Sequence, residues 1–356
     1  MSAAARQEAW TRLAAAGLVD GEMPPARTAE SPWFVRVMLG FAGWIGALFL
    51  LAFGGILFSS LFDKAVPAML IGSIVCAAAI FLFRFRGDND FVAQFAFALS
   101  LAGQALVVVG IGNLFKEQTS GIALAAAAAE AVLFFLAPSF LHRVWTSAAA
   151  ALAVVVALAS WHVAFLAPGL LTVAFAWVWL RELEDPRRAA LWRPGGYGLT
   201  LAAIVAVFLL NFITDMAFLN QGREGAAGAA LAAVRVYAGA ALSGVALILI
   251  VVRLLAREGV PLASGKARMV LAGAVVLALT SLTAPGLAPA VAILVLGYAS
   301  GNRVLTGLGI LVLLGYLSYY YYSLETTLLV KSMLLMIVGS LLLGVRFALH
   351  RWWHHA

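Results

Sequence analysis

Uninterrupted apolar runs, repeated from residue 35 to residue 348, constrain this chain more than any other feature of it. Each is roughly 18 to 25 residues long, enough to cross a hydrocarbon core about 30 Å thick at about 1.5 Å per helical residue. Lipid offers backbone N–H and C=O groups no partner, so such runs must be helices. A transmembrane barrel would need alternating segments of about ten residues, and no such alternation is present. Composition agrees: 64% of residues are hydrophobic and 11% charged, with a mean hydropathy of +1.02, which excludes a soluble domain. The expected fold class is an all-α integral membrane protein.

The runs predict about twelve transmembrane helices, at 35–61, 66–84, 91–114, 120–137, 144–161, 163–181, 197–218, 230–252, 268–284, 287–300, 304–323 and 327–348. An even number puts both termini on one side. All but five of the 23 basic residues then fall on the N-terminal side; the five are Lys64, Lys116, Arg223, Arg235 and Lys331. By the positive-inside rule that side is cytoplasmic. The net charge of +7 is thereby explained by topology, with no nucleic-acid partner required. Trp33, Trp145, Trp161, Trp192, Trp352 and Trp353 sit near span ends, as an interfacial aromatic belt would have them. The expected organisation is a cytoplasmic arm with a short amphipathic helix (1–34), a membrane domain (35–349) and a cytoplasmic tail (350–356). The charged stretch 182–196 separates six spans from six. The multi-pass chain is expected in a bacterial inner (cytoplasmic) membrane.

Few side chains offer chemistry. The lone Cys76 lies inside an apolar run, so neither a disulfide framework nor a thiolate metal cluster is available. No HExxH, Walker loop, GxSxG or CxxC occurs, and His350, His354 and His355 lack an acidic third ligand. No metal, cofactor or catalytic residue is expected. Glu130, within a poly-Ala run, is the first candidate, because a carboxylate at mid-membrane is costly and faces the protein interior. A hairpin turning at Glu117 sets Gln104 at the same depth as Glu130. Ser100 shares a helix face with Gln104, extending a polar track. A proton-sensitive acid and an interhelical clasp both fit this trio.

A second polar group gathers at the opposite membrane face: Asn211, Asp215, Arg235, Tyr316, Tyr320, Glu325 and Lys331. Successive helical residues are about 100° apart, so Tyr319 to Tyr322 cannot all line one pocket; Tyr316 and Tyr320, four apart, can share an inward face. Pro168-Gly169 and Pro285-Gly286 recur in two similar hairpins and are candidates for helix breaks of the kind that expose backbone to a ligand, or for ordinary helix starts. Gly40, Gly43 and Gly46 suit close helix contact.

The blocks "SPWFVRVMLGFAGWIGALFLL" and "YYYYSLETTLLVKSMLLMIVGSLLLG" carry a resemblance. The chain resembles a bacterial family of polytopic membrane proteins known only as a domain of unknown function. That family is often encoded beside another polytopic membrane protein and a small exported protein with a GDYxxLxY motif. The resemblance implies an envelope partner, supplies no catalytic residues, and adds weight to Lys331. The role expected first is a non-enzymatic membrane subunit or platform for such a partner. The alternative is a small-molecule or lipid permease with a proton-sensitive buried Glu130. An intramembrane enzyme using Glu130, Asp215 or His162 ranks third, because spacing pairs no nucleophile with a base.

Overall fold

The computed structural model of the 356-residue chain describes residues 3–16, 33–85, 89–116, 118–220 and 226–323, with single positions at 19, 21, 23, 329, 332, 333 and 336. Side chains at 3–6, 33, 36, 51, 54, 57–62, 186 and 211–233 are outside the description. Among the described residues every regular element is helical. In order they are α1 (Ala3–Ala15), α2 (Trp33–Phe62), α3 (Ala65–Phe85), α4 (Asp90–Phe115), α5 (Thr119–Leu136), α6 (Phe140–Ser160), α7 (Ala167–Glu184), α8 (Ala189–Asn220), α9 (Ala226–Arg257), α10 (Gly265–Thr280), α11 (Leu287–Ala299) and α12 (Arg303–Ser323). Short 3-10 turns at Ala164–Leu166 and Pro186–Arg188 precede α7 and α8.

Helix ends follow local chemistry. Asn89 Oδ1 accepts from Val92 N at 3.2 Å to start α4, and Ser264 Oγ accepts from Ala267 N at 3.1 Å to start α10. Pro138 closes α5, since the residue before a proline is pushed out of the helical region. Arg143, in the first turn of α6, then occupies the free carbonyls left behind. Its Nε donates to Phe134 O (3.1 Å) and Ala137 O (2.9 Å), and its Nη1 to Ala190 O (3.2 Å). One guanidinium thus ties the ends of α5, α6 and α8 together, where the helix dipole of α5 also favours a cation.

Among the described residues, eight helices are long and apolar enough to cross a membrane: α3, α4, α5, α6, α7 with its 3-10 lead, the 189–210 part of α8, the 234–257 part of α9, and α12. Outward-facing Phe49, Ile74, Phe135 and Leu311 are each at least 66% exposed, a surface suited to lipid. Four expected spans differ from these eight. The expected span 35–61 falls on α2, whose described apolar core is Val37–Leu50. The expected 268–284 becomes α10, shorter at 16 residues. The expected 287–300 becomes α11, only 13 residues and about 20 Å long, with Ala288, Ile293 and Leu296 fully buried. The expected 327–348, the tail 350–356 and its histidines lie outside the described residues.

Two boundaries are corrected. The expected span 144–161 begins earlier, at Phe140, because Arg143 is spent on carbonyls and does not mark a loop. The stretch 182–196 is mostly helix, with only 185–188 between α7 and α8. Three ion pairs run along these helix ends: Arg193 with Glu182, Arg181 with Glu184 at 3.2 Å, and Arg188 with Asp185 at 3.6 Å. Within the first 34 residues the described helix is α1, which carries an exposed Arg12–Glu8 pair at 2.6 Å.

Packing divides into glycine-lined seams and a larger apolar core. α4 is flanked by α2 and α3, α5 packs on α6, α6 on α8, and α7 on both α8 and α9. Along α3–α4, a Cβ added at Gly72 would lie 2.6 Å from Gly103 O, so the two backbones touch. Gly43 of α2 meets α4 in the same way, 2.9 Å from Phe91 O. Small residues permit the contact that drives association in lipid, where apolar burial gives no preference. The largest buried cluster is built from Phe175 and Trp179 of α7, Leu247 of α9, Ile293 and Leu296 of α11, and Leu305 of α12.

Candidate functional site

A cluster of polar side chains linked across helices lies between α4 and α6, with Ser100, Gln104 and His142 buried in it. Ser100 and Gln104 stand one turn apart on α4, and His142 and Trp145 start α6. Ser100 is 0% exposed, Gln104 6% and His142 0%. Ser100 Oγ is 2.7 Å from His142 Nε2, and Gln104 Nε2 is 3.2 Å from Ser100 Oγ and 3.3 Å from His142 Nε2. Trp145 Nε1 donates to Gln104 Oε1 at 3.0 Å.

Hydrogen-bond logic orders this network. An indole N–H can only donate, so the carboxamide oxygen of Gln104 must face Trp145 and its NH2 must face Ser100 and His142. A carboxamide NH2 can only donate as well. His142 Nε2 therefore accepts, which makes His142 a neutral imidazole carrying its proton on Nδ1. Ser100 accepts from Gln104 and donates to His142. His142 Nδ1 is buried and has no hydrogen-bond partner among the described residues. Phe83 and Phe97 stand edge-on to the imidazole at 5.4 Å and 6.4 Å, and Thr146 Oγ1 returns to His142 O at 3.0 Å.

Glu130 is buried beside this network, 7% exposed on α5. Its Oε2 also lacks a hydrogen-bond partner among the described residues. Glu130 lies within electrostatic reach of Cys76 on α3, whose thiol points to Ser100 O at 3.7 Å. The expected track of Ser100 and Gln104 is thus present, but Gln104 turns toward α6 instead of hydrogen-bonding Glu130. Four helices, α3 to α6, contribute to the site.

The other sequence candidates are scattered. Asn211 and Asp215 belong to α8, but their side chains lie outside the described residues, as do Glu325 and Lys331. Arg235 is exposed near the start of the α9 span. Tyr316 is 1% exposed, with its ring 6.3 Å from those of Tyr319 and Tyr320, while Tyr322 is 80% exposed. Pro168 sits in the first turn of α7, where Thr172 Oγ1 donates to its carbonyl at 2.6 Å, and Gly169 packs on Leu242 of α9. Pro285 lies in the turn before α11, and Gly286 is the N-cap of α11 beneath the Tyr316 ring. Both Pro-Gly pairs are therefore helix starts at tight interfaces.

Sequence reasoning missed His142 and a second polar centre. His142 adjoins Arg143 in "FLHRVW", between the expected spans 120–137 and 144–161; its spacing to Trp145 on one helix face is the available signal. The second centre joins α7, α8 and the α11–α12 turn. Arg193 Nε donates to Glu182 Oε1, Tyr197 Oη donates to Asn302 Oδ1 at 2.9 Å, and Trp179 Nε1 donates to Thr200 Oγ1 at 3.1 Å. Glu182, Arg193, Tyr197 and Asn302 border a cleft of about 620 Å³. Among the described residues no three His, Cys, Asp or Glu side chains group as a metal site.

Comparison with curated proteins and with solved structures finds no match to this chain. A family model does match, over residues 32–352, which takes in all the spanning helices and both polar centres. The chain belongs to that family, described as Domain of unknown function (DUF4401).

Proposed function

We propose that this membrane protein is a proton-responsive permease for a small molecule or lipid, centred on the α4–α5–α6 cluster. One observation carries the reading: two proton-exchanging atoms without a hydrogen-bond partner among the described residues are buried together here, His142 Nδ1 within the connected network and Glu130 Oε2 beside it. A purely structural clasp would satisfy its donors and acceptors, because each buried group left without a partner costs about 1–3 kcal/mol. Protonating His142 would turn Nε2 into a donor, which the Ser100 hydroxyl can accept but which opposes the Gln104 NH2, so the 3.3 Å Gln104–His142 contact between α4 and α6 would be lost. A proton is thereby coupled to helix packing, as alternating access requires. Glu130→Gln and His142→Gln, inserted normally into proteoliposomes, should abolish proton movement driven by a membrane and metabolite extract of the source cells. Unchanged movement in both variants would end this reading.

The same reading has twelve spans, cytoplasmic termini, two six-span halves meeting near 182–196, and residence in a bacterial inner membrane. The basic residues support it, crowding the ends that would face the cytoplasm. Cysteines placed at Gln118 and Arg188 should label from opposite sides of the membrane; labelling from one side contradicts it.

A second reading is a non-enzymatic platform for an exported small protein and another polytopic membrane protein. It is supported by the aromatic end of α12, where Tyr316 is buried but Tyr322 is presented outward. Tyr320→Ala and Lys331→Ala should then release a partner that copurifies from native membranes. A chain that always purifies alone would exclude the platform.

A further inference from the structure

We infer that the groove between α7 and α9 is a binding site for an anionic phospholipid, its phosphate held by Arg253 and Arg257. The groove encloses about 710 Å³ and has apolar walls that include Val173 and Leu249. Its charged residues all lie at one end, at the C-termini of both helices: Arg181 and Glu184 on α7, and Arg253 and Arg257 on α9. That arrangement matches a phospholipid, with acyl chains along the walls and the headgroup at the membrane surface.

The charges at that end are not balanced internally. Arg181 pairs with Glu184 at 3.2 Å and its guanidinium lies 5.7 Å from the Trp177 ring centroid, so both members of that pair are engaged. Arg253 and Arg257 are one turn apart on one face, exposed, and make no ion pair among the described residues. Three arginines against one glutamate leave a local excess of two positive charges. Carbonyls at the C-terminus of α9 already draw these arginines to the interface, and long basic side chains reach the headgroup layer from there. Trp177, half exposed and edge-on to Trp192 at 5.6 Å, marks the same depth as an interfacial aromatic. Basic pockets between spanning helices at the membrane surface are the expected form of an anionic-lipid site. A phosphate between Arg253 and Arg257 would receive charge-assisted hydrogen bonds from both guanidinium groups. This site is remote in sequence from the α4–α6 cluster and does not rest on the permease reading.

The test is native mass spectrometry of the full chain, titrated separately with phosphatidylglycerol, phosphatidylcholine of the same acyl chains, and inorganic phosphate. Phosphatidylglycerol should bind preferentially, and Arg253→Gln with Arg257→Gln should weaken it roughly thirtyfold, about fivefold for each surface arginine. Both residues are exposed, so the variants leave the core intact. Arg188→Gln, an exposed arginine outside the groove, should leave binding unchanged. Equal binding of the two lipids, undiminished phosphatidylglycerol binding in the double variant, or inorganic phosphate binding as tightly as the lipid would each overturn the inference.

Discussion

Gly103 of α4 offers the sharpest test of how the site is held together, since it adjoins Gln104 and faces α3. A Cβ added there would lie 2.6 Å from Cys76 Sγ, 2.8 Å from Gly72 O and 2.9 Å from Cys76 N. Comfortable carbon contacts are about 3.5–4.0 Å, so α3 and α4 would have to part by roughly 1 Å. Two of the three obstructing atoms are backbone, which no rotamer change can move. Overpacking of this kind costs about 1–3 kcal/mol, and the rigid neighbours place Gly103→Ala toward the upper end. The higher helix propensity of Ala returns up to about 1 kcal/mol, leaving a net loss of about 1–2 kcal/mol. Gly112→Ala, on the same helix with nothing within 4 Å, isolates that gain because it adds no clash. Reversible unfolding in mixed micelles, with rising fractions of denaturing detergent, measures the difference between the two variants. If Gly103→Ala proved as stable as Gly112→Ala, the described α3–α4 contact would be refuted.

Three further outcomes follow from the geometry. Arg143→Gln should destabilise the α5–α6–α8 junction by several kcal/mol, as charged hydrogen bonds contribute about 1.5–3 kcal/mol each, and Arg143→Lys should restore little because an ammonium lacks the forked donor set. Amide exchange in the first turn of α6 would reveal this, and wild-type protection in Arg143→Gln would contradict it. Tyr197→Phe should cost about 1 kcal/mol by deleting the bond to Asn302. Asn302→Ala should cost more, because Asn302 Oδ1 also accepts from Leu305 N at 3.2 Å to start α12. Equal losses in those two variants, measured by the same unfolding assay, would contradict the dual role of Asn302.

Helical span and the burial of polar residues inside it were legible in the sequence because both follow from one-dimensional spacing. Apolar run length placed the eight spanning helices among the described residues, and the position of Gln104 and Glu130 inside such runs marked them as buried polar groups. Partner choice was not legible. Gln104 faces α6 because α4 packs beside the start of that helix, a tertiary fact that hairpin arithmetic between α4 and α5 cannot contain. His142 was missed because Arg143 resembles a loop cation, whereas its charge is absorbed by the carbonyls of Phe134, Ala137 and Ala190. Glu182 was hidden the same way in "RELEDPRR", where one carboxylate of a charge-dense stretch is buried and held by Arg193. The helix α11 was legible at 287–300, but its shortness as a span was not, because a largely buried helix of 13 residues is as apolar as a spanning one.

The most direct test of the central account is nitrogen-15 NMR of histidine-labelled protein in lipid nanodiscs, with the His142 signals assigned by their loss in His142→Gln. The account predicts a neutral imidazole protonated at Nδ1 in the resting state. Acidification should convert it to the imidazolium while the Trp145 indole signal shifts in step. A resting imidazole protonated at Nε2, or a Trp145 signal indifferent to His142 protonation, would contradict a proton-responsive link between α4 and α6.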